Sequence, residues 1–133
     1  MGGRMKPDDL LAILRISGDP TATIITLIGR IDYAKALPLW TPDAAWSAAR
    51  DAAYDAAYDA ARTAAWNAAW NAAYDGARDA ARDAARDVAL DVALDAALLA
   101  GCMVVQDLIE RKHLDFALEQ FCWWLNGGTY ETR

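Results

Sequence analysis

From Ala45 to Ala100 the chain repeats a four-residue unit fourteen times: alanine, a bulky residue, usually an acid or amide, and a second small residue. The run begins Ala-Trp-Ser-Ala, Ala-Arg-Asp-Ala, Ala-Tyr-Asp-Ala. A period of four lies near the α-helical repeat and far from the alternation of a strand. Alanine is the best helix former, and no proline follows Pro42. Thr41-Pro42-Asp43 reads as a helix start: a hydroxyl cap, proline in the first position and an acid at the positive end of the dipole. The expectation is an all-α protein with one long central helix from Pro42 to about Lys112, in which Gly76 and Gly101 are the places for a break. Unbroken, it would be roughly 100 Å long at the α-helical rise. A chain of 133 residues has two ways to accommodate such a rod, by bundling with further copies or by folding it back on itself.

Four residues turn about 400°, so each column of the repeat moves about 40° around the helix per tetrad. A period above 3.6 asks for right-handed supercoiling, and no single neighbour follows such a stripe for long. The two small residues of a tetrad stand about 60° apart and leave a shallow groove suited to close backbone approach. On this reading Ala56, Ala60, Ala64 and Ala68, with Leu90, Leu94 and Leu98, are candidate packing residues of a homo-oligomer.

The bulky position divides the tract into thirds. Trp46, Arg50, Tyr54, Tyr58, Arg62, Trp66, Trp70 and Tyr74 make an aromatic third, Arg78, Arg82 and Arg86 a basic one, and Leu90, Leu94 and Leu98 an aliphatic one that reads as core. In the basic third Asp75, Asp79 and Asp83 each reach an arginine three residues on, pairs worth about 0.2 to 0.5 kcal/mol each. The aromatic third is the most site-like feature. Rings at i, i+4 can stack a planar ligand, and Arg62 and Arg78 on the same stripe can meet a phosphate. The candidate binding set is therefore Tyr54, Tyr58, Arg62, Trp66, Trp70, Tyr74 and Arg78. Against it stands the plainer expectation that these rings cover the N-terminal helices or a protomer interface.

The flanks read as short helices. Pro7-Asp8-Asp9 opens one through Leu10, Leu11, Ile13 and Leu14, closed at Gly18. Asp19-Pro20 opens a second, with Ile24, Leu27, Ile28 and Ile31 in helical register, although Thr23-Ile24-Ile25-Thr26 leaves a strand open. The long helix is expected to end near Arg111-Lys112-His113, where cations suit the dipole, and Asp115 to cap a last helix over Phe116 to Leu125, stopped by Gly127-Gly128. The whole chain reads as one helical domain, with 1–40, 42–112, 115–126 and a tail at 127–133 as its parts.

A net charge of −6 argues against nucleic-acid phosphates and anionic membranes as partners. The uncharged stretches, Pro20 to Gly29 and Ala96 to Gln106, are too short to span a bilayer, and the first residues lack the apolar core of a signal peptide, so a cytoplasmic location is expected. Cys102 and Cys122 read as buried reduced thiols, with a disulfide as the alternative. Asp51, Asp55 and Asp59 read as a solvated stripe rather than metal ligands, and His113 as a solvated residue at a helix end. Phosphate-loop, zinc and protease signatures are missing, so no catalytic residue, metal or cofactor is expected.

The tetrad tract running into Val104-Val105-Gln106-Asp107-Leu108-Ile109 and a short aromatic helix, roughly Ala44 to Trp124, resembles a group of alanine-rich tetrad-repeat helical proteins of high-GC bacteria and their phages. That resemblance implies a helical repeat architecture and no activity. The leading expectation is a non-enzymatic homo-oligomer that binds a protein partner. The alternatives are a phage-type protein that sequesters a nucleotide-like molecule on the aromatic ladder, and an acidic mimic of nucleic acid.

Overall fold

The computed structural model describes residues 4–31, 44–60, 64–80 and 86–127, with the backbone alone at 64, 80 and 86–89. Among these residues it contains six helices and no strand: α1 (Pro7–Ile16), α2 (Pro20–Ile28), α3 (Ala44–Ala60), α4 (Ala64–Ala80), α5 (Arg86–Val104) and α6 (Arg111–Leu125). The protein is all-α, as the repeat requires. The single long helix is overturned, because the tract is distributed over α3, α4 and α5. The residues between these helices lie outside the described set.

The tract folds back because alanine alone cannot stabilise an isolated rod. Each methyl taken from water contributes about 0.8 kcal/mol, and a straight helix would leave Trp66, Ala73, Val92 and Leu98 in solvent. Packed together, α4 and α5 bury all four. The two helices run antiparallel: Trp66 of α4 lies against Gly101 of α5, and Trp70 lies beside Leu94 and Leu98. α3 runs in the same direction as α5, with Arg50 4.0 Å from Asp91 and Tyr54 beside Leu94 and Leu98. α2 lies across α4 and α5, while α6 packs on α5, α3 and α1. Helix α5 is thus the centre of the fold, buried at nearly every position from Val92 to Met103.

Neither glycine breaks a helix. Gly76 sits within α4 and Gly101 within α5. Both mark close crossings: a Cβ at Gly76 would stand 2.9 Å from Ile25 Cγ1, and one at Gly101 only 2.5 Å from Trp66 Nε1. The propensity cost of about 1 kcal/mol per glycine is offset by the contacts these crossings permit.

On α3 and α4 the buried alanines belong to the first position of the tetrad, Ala53, Ala57, Ala69, Ala73 and Ala77, although Ala45 and Ala65 in the same column are exposed, whereas on α5 the first position (Ala93, Ala97) and the fourth (Val92, Ala96, Ala100) are both buried. Ala56 and Ala60 are half-buried, Ala68 is exposed, and the side chain of Ala64 lies outside the described set. Geometry explains the choice. With about 100° per residue, the first position is the one most nearly opposite the acid, which faces water, whereas the fourth is only about 100° from it. The aliphatic third is not uniformly core either, since Leu90 is 37% exposed, Leu94 half-buried and Leu98 3% exposed. The drift of the columns also carries one acid inward. Asp95 is buried on α5, and its Oδ2 accepts a 2.7 Å hydrogen bond from Trp124 Nε1.

The N-terminal helices follow their signals. Pro7 and Pro20 occupy first turns, and the Asp19 side chain accepts from Ala22 N at 3.1 Å. The strand alternative over Thr23 to Thr26 gives way to α2, where both threonine hydroxyls donate to the carbonyls of Asp19 and Ala22. At the other end two boundaries differ from expectation. α5 stops at Val104, and a turn with Leu108 N donating to Val105 O leads into α6 at Arg111. Arg111, Lys112 and His113 therefore stand in a first turn, an unfavourable end for cations. Arg111 is compensated by Asp115, 2.7 Å away, and by Asp8 at 3.8 Å, so Asp115 is an ion-pair partner rather than a cap. Gly127, with φ of 93°, follows the end of α6.

Cys102 and Cys122 are free and buried, and burial pushes both thiols up to about 12. No described helix is long and apolar enough to cross a membrane.

Candidate functional site

The bulky residues of α3 and α4 form one continuous ladder of rings. Tyr54 and Tyr58 stack at 6.0 Å with an interplanar angle of 16°. Both meet the edge of Trp66, at 6.0 and 5.8 Å. Trp66 leads to Trp70 at 6.4 Å, and Trp70 stacks on Tyr74 at 5.2 Å and 8°. The i, i+4 spacing supplies the contacts within each helix, and the antiparallel run of α3 and α4 joins the two series at Trp66. Five of the seven predicted ligand-platform residues are thus brought together. Arg78 is exposed on α4, and Arg62 lies outside the described residues.

Exposure grades along the ladder. Trp66 is buried against Gly101, Trp70 and Tyr74 are half-buried, and Tyr54 and Tyr58 are 38% and 58% exposed. The indole nitrogens of Trp66 and Trp70 are sealed from solvent with no acceptor among the described residues. Leaving such a donor unmade costs about 1 to 3 kcal/mol, set against aromatic pairs worth about 0.5 to 1.5 kcal/mol each beyond their buried area.

Beside the ladder, Arg50, Asp51, Tyr54, Trp70, Leu94 and Leu98 line a pocket of about 170 Å³. Small-molecule sites usually hold about 300 to 1,000 Å³, so the pocket is too small for a nucleotide. Its cation is already engaged, with the Arg50 guanidinium 4.6 Å from the Trp46 ring centroid and 4.0 Å from Asp91. The ladder therefore offers an exposed aromatic edge rather than a nucleotide cleft.

A second concavity lies elsewhere, where the start of α1, the start of α3 and the far end of α6 meet. It measures about 740 Å³, and its lining includes Arg4, Lys6, Trp46, Phe116, Gln120 and Trp123. Trp46 Nε1 donates to Gln120 Oε1, and the Trp46 and Phe116 rings are 6.2 Å apart. Asn126 clamps the chain at Met5, accepting from its N–H at 2.8 Å and donating to its carbonyl at 2.9 Å. Glu119, at the same cavity, has its carboxyl raised above the usual carboxylate range, first by burial and then by Asp115. None of these residues was singled out as a site from the sequence. One signal was present: Gln120 stands a helical turn from Phe116 and Trp124, a polar residue in a core-facing register.

No protein-family model matches the chain, and no curated protein or solved structure matches it. Function therefore has to be argued from these surfaces. Among the described residues no group of three or more His, Cys, Asp or Glu side chains is placed to hold a metal ion. His113 is half-buried in the first turn of α6.

Proposed function

We propose that the protein is a non-enzymatic helical binding protein that works by self-association, and that the exposed end of the aromatic ladder on α3 is its contact surface. The observation that carries this reading is the stacked pair Tyr54 and Tyr58, exposed at one edge and anchored at the other on buried Trp66. Rigid aromatic side chains held in this way present a large contact area at little entropic cost and are enriched among the residues that dominate association. The half-buried Ala56 and Ala60 beside the pair leave room for a partner helix to come close. The length of an unbroken rod no longer argues for assembly, because the tract folds back, so the weight rests on the tyrosines.

Sedimentation and light scattering across the micromolar range test this. Wild-type protein is expected to exceed the mass of one chain, and Tyr54→Ser with Tyr58→Ser to return it to one chain while helix content is unchanged. A wild type that stays at single-chain mass throughout overturns the reading.

A further inference from the structure

The bulky column of α3 has one rung that is not a ring. It runs Trp46, Arg50, Tyr54, Tyr58, so an arginine stands where the i, i+4 series of aromatic residues is interrupted. The Arg50 side chain is turned away from that place: its guanidinium lies 4.6 Å from the Trp46 ring centroid and 4.0 Å from Asp91 on α5. The pocket of about 170 Å³ opens beside it, lined by Arg50, Asp51, Tyr54, Trp70, Leu94 and Leu98. It is a gap in the ladder at the Arg50 rung.

Each wall fixes one property of an occupant. Volume fixes its size, since an apolar cavity of about 150 Å³ is enough to hold benzene. Tyr58, one turn towards the C-terminus, stacks on Tyr54, and the gap lies on the other side of Tyr54, towards Arg50, where a further ring continues the stack. Trp70 is stacked between Trp66 and Tyr74, which leaves its edge to meet that ring. Leu94 and Leu98 make an apolar floor. At the rim the Asp51 carboxylate is exposed, while the guanidinium next to it in sequence is directed to Trp46 and Asp91. The polar group offered to an occupant is therefore an acceptor.

We propose that this gap binds a single-ring phenol: the ring completes the ladder against Tyr54, Trp70 and Leu94, and the hydroxyl donates to Asp51. A benzoate of similar size brings its charge against the Asp51 carboxylate, and a bicyclic ring exceeds the volume. The site goes beyond self-association and does not rest on it, because Tyr58, the 58% exposed ring of that surface, is not among the lining residues.

NMR titrations with phenol, toluene and benzoate test it. Phenol is expected to shift the Trp70 indole N–H signal saturably and to leave that of Trp123, which lines the other concavity, in place. Toluene should bind several-fold more weakly and benzoate most weakly. Arg50→Tyr supplies the missing rung from the chain itself and should abolish the phenol shift with helix content preserved. Asp51→Ala, at an exposed position, should weaken phenol several-fold and leave toluene unchanged, and it carries the test if Arg50→Tyr misfolds. Absence of a saturable phenol shift, benzoate binding as tightly as phenol, or full phenol affinity in the variants overturns the proposal. The same titration in Tyr58→Ser, with light scattering on each sample, separates this site from self-association: phenol binding should survive there whatever the mass of the wild type.

Discussion

The ladder and the packing around α6 are both built from tryptophan, but they hold it in opposite ways. Trp66 and Trp70 are stabilised by ring on ring and leave their indole N–H groups without acceptors among the described residues. Trp46 and Trp124 are each pinned by a hydrogen bond to a buried polar partner, Gln120 and Asp95. In the first region packing alone sets position, and the rings shade from buried to exposed. In the second a polar contact sets rotamer and orientation. Stacking of this kind suits an adaptable contact surface. Pinning suits a fixed interior.

The sharpest way to break the comparison is at the pinned end. Trp124→Ala, at a fully buried position whose N–H serves Asp95, should destabilise by about 3 to 5 kcal/mol in denaturant titration. A loss below about 1 kcal/mol would mean that the pinning adds nothing. Gly101→Ala probes the ladder's anchor, since a Cβ there meets Trp66 Nε1 at 2.5 Å. It should cost about 1 to 3 kcal/mol despite the better helix propensity of alanine, and a stabilised variant would show that Trp66 is not tightly seated.

The contrast is read most directly by removing only the N–H. Trp46→Phe strands the Gln120 oxygen and should cost about 1 to 2 kcal/mol more than Trp70→Phe, which deletes a donor that has no described acceptor. Equal costs in chemical denaturation would erase the distinction. Tyr58→Ser, at an exposed position, should change stability by less than about 0.5 kcal/mol whatever it does to association.

The smallest effect concerns pH. The Glu119 carboxyl is raised in the folded state, so its contribution is favourable below its ordinary value of 4.5 and is lost as pH rises through the folded value. Glu119→Gln should therefore be slightly more stable than wild type at neutral pH, with the difference vanishing as pH falls below 4.5 in pH-dependent thermal melts. A difference that grows on acidification contradicts the assignment.

The ladder was legible in the amino-acid order because it is local. Tyr54 with Tyr58, and Trp66 with Trp70 and Tyr74, are neighbours at i, i+4, so helical periodicity alone stacks them. The cavity was not legible, because it depends on Met5 meeting Asn126 and Trp46 meeting Gln120, contacts between the chain's extremes that no local period encodes. The boundary errors share that origin. Arg111 to His113 suit a helix C-terminus by dipole, yet Asp8 and Asp115 hold Arg111 in a first turn.

By itself, then, the sequence determined that the chain is helical, where the N-terminal helices begin and that aromatic residues line up along α3 and α4. Those outcomes follow from propensity, capping and period, which act within a few residues. Only the tertiary structure decided that the tract folds back, which small residues of each helix are buried, and that Gly76 and Gly101 are crossings rather than breaks. Those outcomes depend on which faces meet, and a repeat that rotates its columns around the helix leaves that choice to the burial of α5 by its neighbours.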